Sequence, residues 1–451
     1  MTAIDTLSEF VTSTRSSSIP SEVRHRGRLV LADCIGCIIA GNAMPEMRRL
    51  AALDAGGGAA TATVLGTSLR RAPDRAAFLN GTAGTWHDLD EGNLSTRTHA
   101  GIQLAPAALA EAETRSLSGE QLLEAVILAY EASARLWRAT DARHAVHPHG
   151  TYGPLAAAMA LAKLRGDAAA KMSVGANIAM TLGVASSRMA LNDGATVRNV
   201  YTGHSGRAGF EALALRDIGF SGEHDAASSI LGNIYGSAFT AEKAVADLGG
   251  TWWIERNYFK RFATGRYSHG ALDLTEELAA RLGPVLTADA IERIDIATFF
   301  WAATMGQQQV RSPFGCRFSI PVAVARMILA GRAPLTDDGA ATFADQRVHD
   351  LARRIFVTED KSLTAQYPDR QPTRMIVTFR DGRTETAGCE RILGEADHPL
   401  SDAALEAKFV ELTSPSLGAT APQVWRDLMR IEAVPDLGAF IRGWRTAASS
   451  T

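Results

Sequence analysis

Between Leu104 and Glu113, and again between Ser118 and Thr140, apolar residues recur every three or four positions with Glu, Gln and Arg between them. That period belongs to helices that bury one face, and it commits this half of the chain to helix packing. Runs of the same kind are expected from Pro20 to about Ala40, stopping at Gly41-Asn42, and from Pro73 to Thr85, Pro154 to Leu164, Ala168 to Ala185 and Phe210 to Ile218. Ser118-Gly119-Glu120-Gln121 carries a capping-box pattern. Thr61–Leu65 reads as a short strand, and Ala55 to Ala60 as small and flexible. Everything to about residue 245 reads as one large helical domain.

Beyond residue 265 the pattern changes. Ala290–Ala303 is rich in Ile, Phe and Thr, and Met375–Phe379 alternates around β-branched residues. Asp381-Gly382 has the chemistry of a hairpin turn leading into Thr384–Gly388. Helices are expected at Ser319–Leu329 and Val348–Ile355, and Ser401-Asp402 caps a helix from Ala403 to Leu412. The fold class is therefore mainly α with an α+β second domain. A helical domain (1–265 together with 395–451) is interrupted by a smaller α+β lid domain (266–394).

At 451 residues the chain is too long for one simple core. A formal charge of −3 gives no overall case for nucleic acid or an anionic membrane, so any anion must be held by locally placed cations. Cys34 and Cys37 form C-x-x-C inside an apolar helical run with no second ligand pair, which favours buried thiols over a zinc or redox site. Four cysteines in all fit a reducing cytoplasm. Neither a signal peptide nor a membrane-spanning stretch is expected.

The stretch Trp86-His87-Asp88-Leu89-Asp90-Glu91-Gly92-Asn93, running on to His99, concentrates acids and imidazoles in one connection between helices. His144, His147 and His149 crowd a second connection, and Arg198 and Lys260 lie in two more. A neutral His is a suitable base for a weakly acidic C–H, and fixed cations hold a carboxylate and its developing enediolate. Taken together, Asp88, His99, His147, Arg198 and Lys260 fit lyase or isomerase chemistry on a small acid. Two other readings compete. His144, His147 and His149 with Asp88 offer metal ligands, but match no H-E-x-x-H spacing. Gly203-His204-Ser205-Gly206-Arg207 resembles a nucleophile elbow, but Arg207 replaces its closing glycine, and the glycines at 203, 206 and 209 fit a close helix approach better.

In order along the chain, these segments resemble the MmgE/PrpD family, which includes 2-methylcitrate dehydratase, cis-aconitate decarboxylase and iminodisuccinate epimerase. The likeness runs from Leu31-Ala32-Asp33 through Phe78-Leu79-Asn80-Gly81, the aspartate-rich stretch with His99-Ala100-Gly101, and His147-Pro148-His149-Gly150-Thr151-Tyr152-Gly153. It continues through Arg198 to Gly203, Lys260-Arg261-Phe262 with Arg266 and His269, Phe318 to Pro321, and Asp397 to Lys408-Phe409. The resemblance implies a homodimer that works without metal or organic cofactor, binds a small carboxylate substrate, and engages neither nucleic acid nor membrane. It places Asp88, His99, His147, Arg198 and Lys260 around the substrate; Asp88, His99, His147 and Lys260 are read as catalytic, and Arg198, His149, Arg266 and His269 as substrate-binding. One imidazole would remove a proton and the other return one, with Asp88 orienting an imidazole and Arg198 and Lys260 holding carboxylates. Dehydration of a hydroxy acid is the expected reaction, with epimerisation, decarboxylation or a non-catalytic binding or scaffold role as alternatives. Gly92, Arg198, Gly265, Val322 and the added His149 depart from the family pattern and are expected to line the pocket.

Overall fold

The computed structural model describes residues 1–53, 57–331, 335–336 and 339–444, with the side chain at 192 excepted. Part of the flexible stretch expected at Ala55 to Ala60 lies outside these residues. The protein is mainly helical, with a small mixed sheet in its C-terminal half.

The expected helices form, with ends set by local chemistry. Ser21–Asn42, Pro73–Gly84, Ala100–Thr114, Gly119–Arg138 and Gly153–Leu164 pack around an alanine-rich core. Ser118 and Gln121 close the capping box in both directions. The helix expected from Phe210 begins ten residues earlier, at Val200, and runs to Asp217. Local propensity argues against helix across Gly203, Gly206 and Gly209. Packing prevails because those glycines let neighbouring backbones approach. A Cβ on Gly81 would lie 2.9 Å from the Gly203 Cα, and one on Gly203 would land on Thr82 Oγ1 and the Phe78 carbonyl. Ser205 lies inside this helix, with its hydroxyl on the Tyr201 carbonyl, so no nucleophile elbow forms.

The sheet runs in the order Thr384–Cys389, Thr373–Phe379, Ile291–Thr298, Ile355–Glu359. The hairpin at Asp381-Gly382 sets Glu385 opposite Val377, and Ile296 faces Met375. The helix expected over Val348–Ile355 ends at Ala352, and Ile355 instead opens a strand parallel to Ile291–Thr298. Ile355, Val357 and Thr358 favour strand, and their partner lies some sixty residues earlier, where a local pattern does not reach. One sheet face packs with Leu272, Val324 and Leu351 from three helices into a second hydrophobic core.

Asp402–Leu417 returns to the first core, and Phe409 lies against Gly36 on the Ser21–Asn42 helix. Arg317 reaches back from the second core and donates to the carbonyls of His87 and Ala263. Among the described residues, no single helix is long and apolar enough to cross a membrane.

Gly203→Ala is expected to lower unfolding stability by about 1–3 kcal/mol, the scale of overpacking a close contact. The check is the urea midpoint, which an unchanged value would set against the close helix crossing.

Candidate active site

Four connections converge on one cavity of about 160 Å³. That is small beside the ~300–1,000 Å³ of pockets that take drug-sized ligands. The Thr85–His99 connection carries the aspartates, and its Gly92-Asn93 pairs antiparallel with Asn257-Tyr258, which brings Lys260 alongside. The segment ahead of the Gly153–Leu164 helix carries the histidines. Gly150, at φ 82°, makes its turn, and its N–H is held by Gln103.

Asp88 sits on the cavity wall in a left-handed conformation, φ 52°. Its carboxylate takes Arg198 Nη2 at 2.6 Å on one oxygen and Lys260 Nζ at 3.0 Å on the other, and Lys260 also donates to the Asp88 carbonyl at 2.7 Å. These paired contacts over-determine a backbone conformation that would otherwise be costly. All three side chains are buried. Arg198 and Lys260 thus share the one carboxylate that lines the cavity, and both cations lie on its wall.

His99 is oriented by a different acid. Its Nδ1 lies 2.9 Å from Asp90 Oδ2 and 2.7 Å from the Glu91 carbonyl. The carbonyl can only accept, so Nδ1 carries a hydrogen, and Nε2 is the nitrogen that can take up a proton. Burial works against the charge on Asp90. The neighbouring His99 and Lys260 outweigh it and hold its carboxyl well below the usual carboxylate range. Asp88 is thus engaged by Arg198 and Lys260, and it is Asp90, not Asp88, that lies beside the His99 ring.

His147 also lines the cavity. Its Nδ1 accepts the His149 N–H at 3.0 Å, so in this arrangement its proton is on Nε2. Burial, helped by Arg198, pushes it well below the usual histidine value, which keeps it neutral.

The remaining predicted residues are placed differently. His149 is fully buried one layer behind the wall, edge-on to both His99 and His147 at ring distances of 4.8 and 4.7 Å. His269 is fully buried against Phe262 and Arg266, also off the wall. Neither ring lines the cavity. Arg266 does line the cavity, but its guanidinium is held by Glu395 at 3.3 Å and lies over the Tyr258 ring at 4.6 Å. Of the departures from the family pattern, Arg198 and Gly265 reach the wall, and Val322 lies in the second core instead.

Tyr258 is a wall residue that the sequence reading missed. A Cβ on Gly92 would fall on its hydroxyl, so the glycine leaves room for a phenol beside His99. Burial raises its pKa well above the ordinary value, so it stays a donor. The available signal was its place two residues before Lys260, and both line the cavity.

The metal set weighed from sequence is not assembled. Asp88 is taken by cations, and His144 stacks on Trp301 at 4.7 Å. Among the described residues, Asp90, His99 and His149 instead bring ligand atoms within 4.8 Å of one another, and an ion there would compete with the His99–Asp90 contact.

Behind this layer, Glu91 accepts the Gly101 N–H at 2.9 Å and the Tyr130 hydroxyl at 3.2 Å. Burial, reinforced by the Asp33 charge, pushes its carboxyl from 4.5 up to about 8. A raised folded-state pKa stabilises fully below the unfolded value and is lost as pH rises through the folded one. Glu91 therefore makes stability fall between pH 4.5 and about 8, by at most about 1.4 kcal/mol per pH unit. Glu91→Gln is expected to keep the fold and remove that component. Denaturation midpoints at pH 5 and pH 8 check it, and an unchanged difference between the two pH values contradicts it.

Comparison with known proteins agrees with this architecture. The MmgE/PrpD N-terminal domain matches residues 5–237, and the MmgE/PrpD C-terminal domain matches residues 262–431. The chain is 22% identical over 413 residues to a cis-aconitate decarboxylase of Aspergillus terreus, spanning 84% of this chain and 83% of that one. It is 26% identical over 369 residues to the cis-aconitate decarboxylase of Homo sapiens, spanning 76% and 73%. A cis-aconitate decarboxylase-like protein, oryM of Aspergillus oryzae, is 27% identical over 309 residues, 64% of each chain. With both domains matched in order across the helical core, the sheet-bearing unit and the cavity between them, the chain belongs to the MmgE/PrpD family.

Proposed function

We propose that the protein is a lyase acting on a small di- or tricarboxylic acid, with His99 as its proton carrier and no organic cofactor or metal. The observation that carries this reading is the tautomer of His99, set by the Glu91 carbonyl with Asp90 alongside, next to the cations Arg198 and Lys260 on the same cavity wall. Arg198 and Lys260 take the carboxylate next to the reacting carbon. Negative charge moves onto that carboxylate as the C–H bond breaks, and preorganised cations stabilise it without reorganising. His99 Nε2 receives the proton, and Asp90 stabilises the imidazolium.

His147 is held in a neutral form with no lone pair free on Nε2. It donates a hydrogen bond but is a poor proton source. The imidazolium of His99 is then the acid for the leaving hydroxyl. The C–H electrons become the double bond, the C–O bond breaks, and the hydroxyl departs as water with the proton His99 had taken. This replaces the expectation of two imidazoles sharing acid and base roles.

Decarboxylation is the second reading, favoured by relatives named cis-aconitate decarboxylase. There the C–C electrons left behind by departing CO₂ are held by the same cations, and His99 delivers a proton to carbon. Epimerisation needs a second proton carrier on the opposite face, a role for which His147 is poorly suited. As part of this proposal the protein is a cytoplasmic homodimer.

The test is a turnover screen of hydroxy and unsaturated di- and tricarboxylic acids with wild type, His99→Ala and Asp90→Asn. At least one acid is expected to lose water or CO₂. Removing His99 should slow it by roughly 10²–10⁴-fold, the usual scale of general acid–base catalysis, and Asp90→Asn should slow it too by removing the charge beside the imidazolium. Turnover unaffected by His99→Ala contradicts the assignment. Activity lost on chelation and restored by Zn²⁺ would give Asp90, His99 and His149 a metal-binding role instead.

A further inference from the structure

The outer part of the cavity carries positive charge that the Asp88 site does not account for. Arg97, Arg143 and Arg188 all line it. Their hydrogen bonds go to neutral backbone. Arg97 donates to the Thr140 carbonyl at 3.1 Å, Arg143 to Ile234 and Asn233 at 3.2 and 3.1 Å, and Arg188 Nε to His144 at 3.0 Å. Among the described residues none of the three is paired with a carboxylate, and the cavity wall holds a single acid, Asp88, which Arg198 and Lys260 already share.

Arg188 is the most constrained of the three. Its Nε is tied to the His144 carbonyl, and one face of its guanidinium is covered by the Trp301 ring at 4.7 Å. Trp301 comes from the sheet-bearing unit and also stacks on the His144 ring at 4.7 Å and 18°. The guanidinium is thus gripped between the two parts of the chain, which fixes its plane and leaves its terminal nitrogens for a ligand. Such a planar fork matches a carboxylate in two-point contact. Arg97 and Arg143 are exposed, and Arg188 is half-buried, whereas Arg198 and Lys260 are buried. The two cationic groups therefore occupy different depths of the same cavity.

We propose that Arg188, flanked by Arg97 and Arg143, forms a subsite for a second carboxylate of the substrate, at the mouth of the cavity whose inner wall carries Arg198 and Lys260. The preferred substrate then carries at least two carboxylates separated along its chain, and a monocarboxylate fills the inner site alone. This inference rests on the proposed reading of the cavity as a carboxylic-acid site.

Calorimetric titration of the full-length protein with tricarballylate, glutarate and butyrate tests it. Wild type is expected to bind tricarballylate most tightly. Arg188→Ala should weaken tricarballylate and glutarate by roughly ten- to a hundredfold, the effect of losing hydrogen bonds to a charged group, and leave butyrate unchanged. If Arg188→Ala does not fold, Arg97→Ala with Arg143→Ala, both at exposed positions, should show the same selective loss. Equal binding of tricarballylate by wild type and variant, or an equal loss for all three acids, overturns the subsite. A wild type that binds none of the acids removes the carboxylic-acid reading itself.

Discussion

Asp33 and Lys408 hold the backbone on either side of Asp90, and the chemistry of the site depends on that grip. One Asp33 oxygen takes Lys408 Nζ at 2.6 Å, and the other takes the Glu91 N–H at 2.9 Å. Lys408 also donates to the Leu89 carbonyl at 2.9 Å. Asp90 lies between those two clamped peptides and so has its carboxylate aimed at His99 rather than at the cations beside Asp88. Asp33 comes from the Ser21–Asn42 helix and Lys408 from Asp402–Leu417. The return of the C-terminal helix to the first core is thus what shapes the loop. Removing one partner of a buried pair strands the other, at about 3–5 kcal/mol.

The two neighbouring aspartates are given opposite tasks by this arrangement. Asp88 compensates the cations that are to hold substrate, and Asp90 supports the imidazole that is to move a proton. The left-handed backbone at Asp88 turns the chain between them. Had both acids faced Arg198 and Lys260, the cavity would carry no net positive charge and His99 would lack its ionised partner.

The helices were legible because their burial follows a local period, as in Gly119–Arg138 with its capping box. The hairpin at Asp381-Gly382 was legible for the same reason, since its turn chemistry lies within a few residues. The strand at Ile355–Glu359 was not, because its parallel partner is distant in sequence. The same distinction holds in the site. Asp88, His99, His147, Arg198 and Lys260 stand out as polar groups where the apolar pattern breaks, and all five reach the cavity. Which acid serves which partner depends on side-chain direction, which spacing does not encode. Tyr258 escaped notice because its importance comes from Gly92, and the absence of a side chain gives no positive signal. His149 and His269 were read by their type alone, and burial moves both off the wall.

The central claim is that Asp90 and the Glu91 carbonyl fix His99 with its hydrogen on Nδ1, while the His149 N–H fixes His147 with its hydrogen on Nε2. Nitrogen-15 NMR of histidine-labelled protein across a pH series reads both tautomers directly, with His99→Gln and His147→Gln assigning the signals. The account predicts that His99 keeps its hydrogen on Nδ1 throughout, while His147 remains the neutral Nε2–H form. A neutral His99 with its hydrogen on Nε2, or a neutral His147 with its hydrogen on Nδ1, would contradict the account.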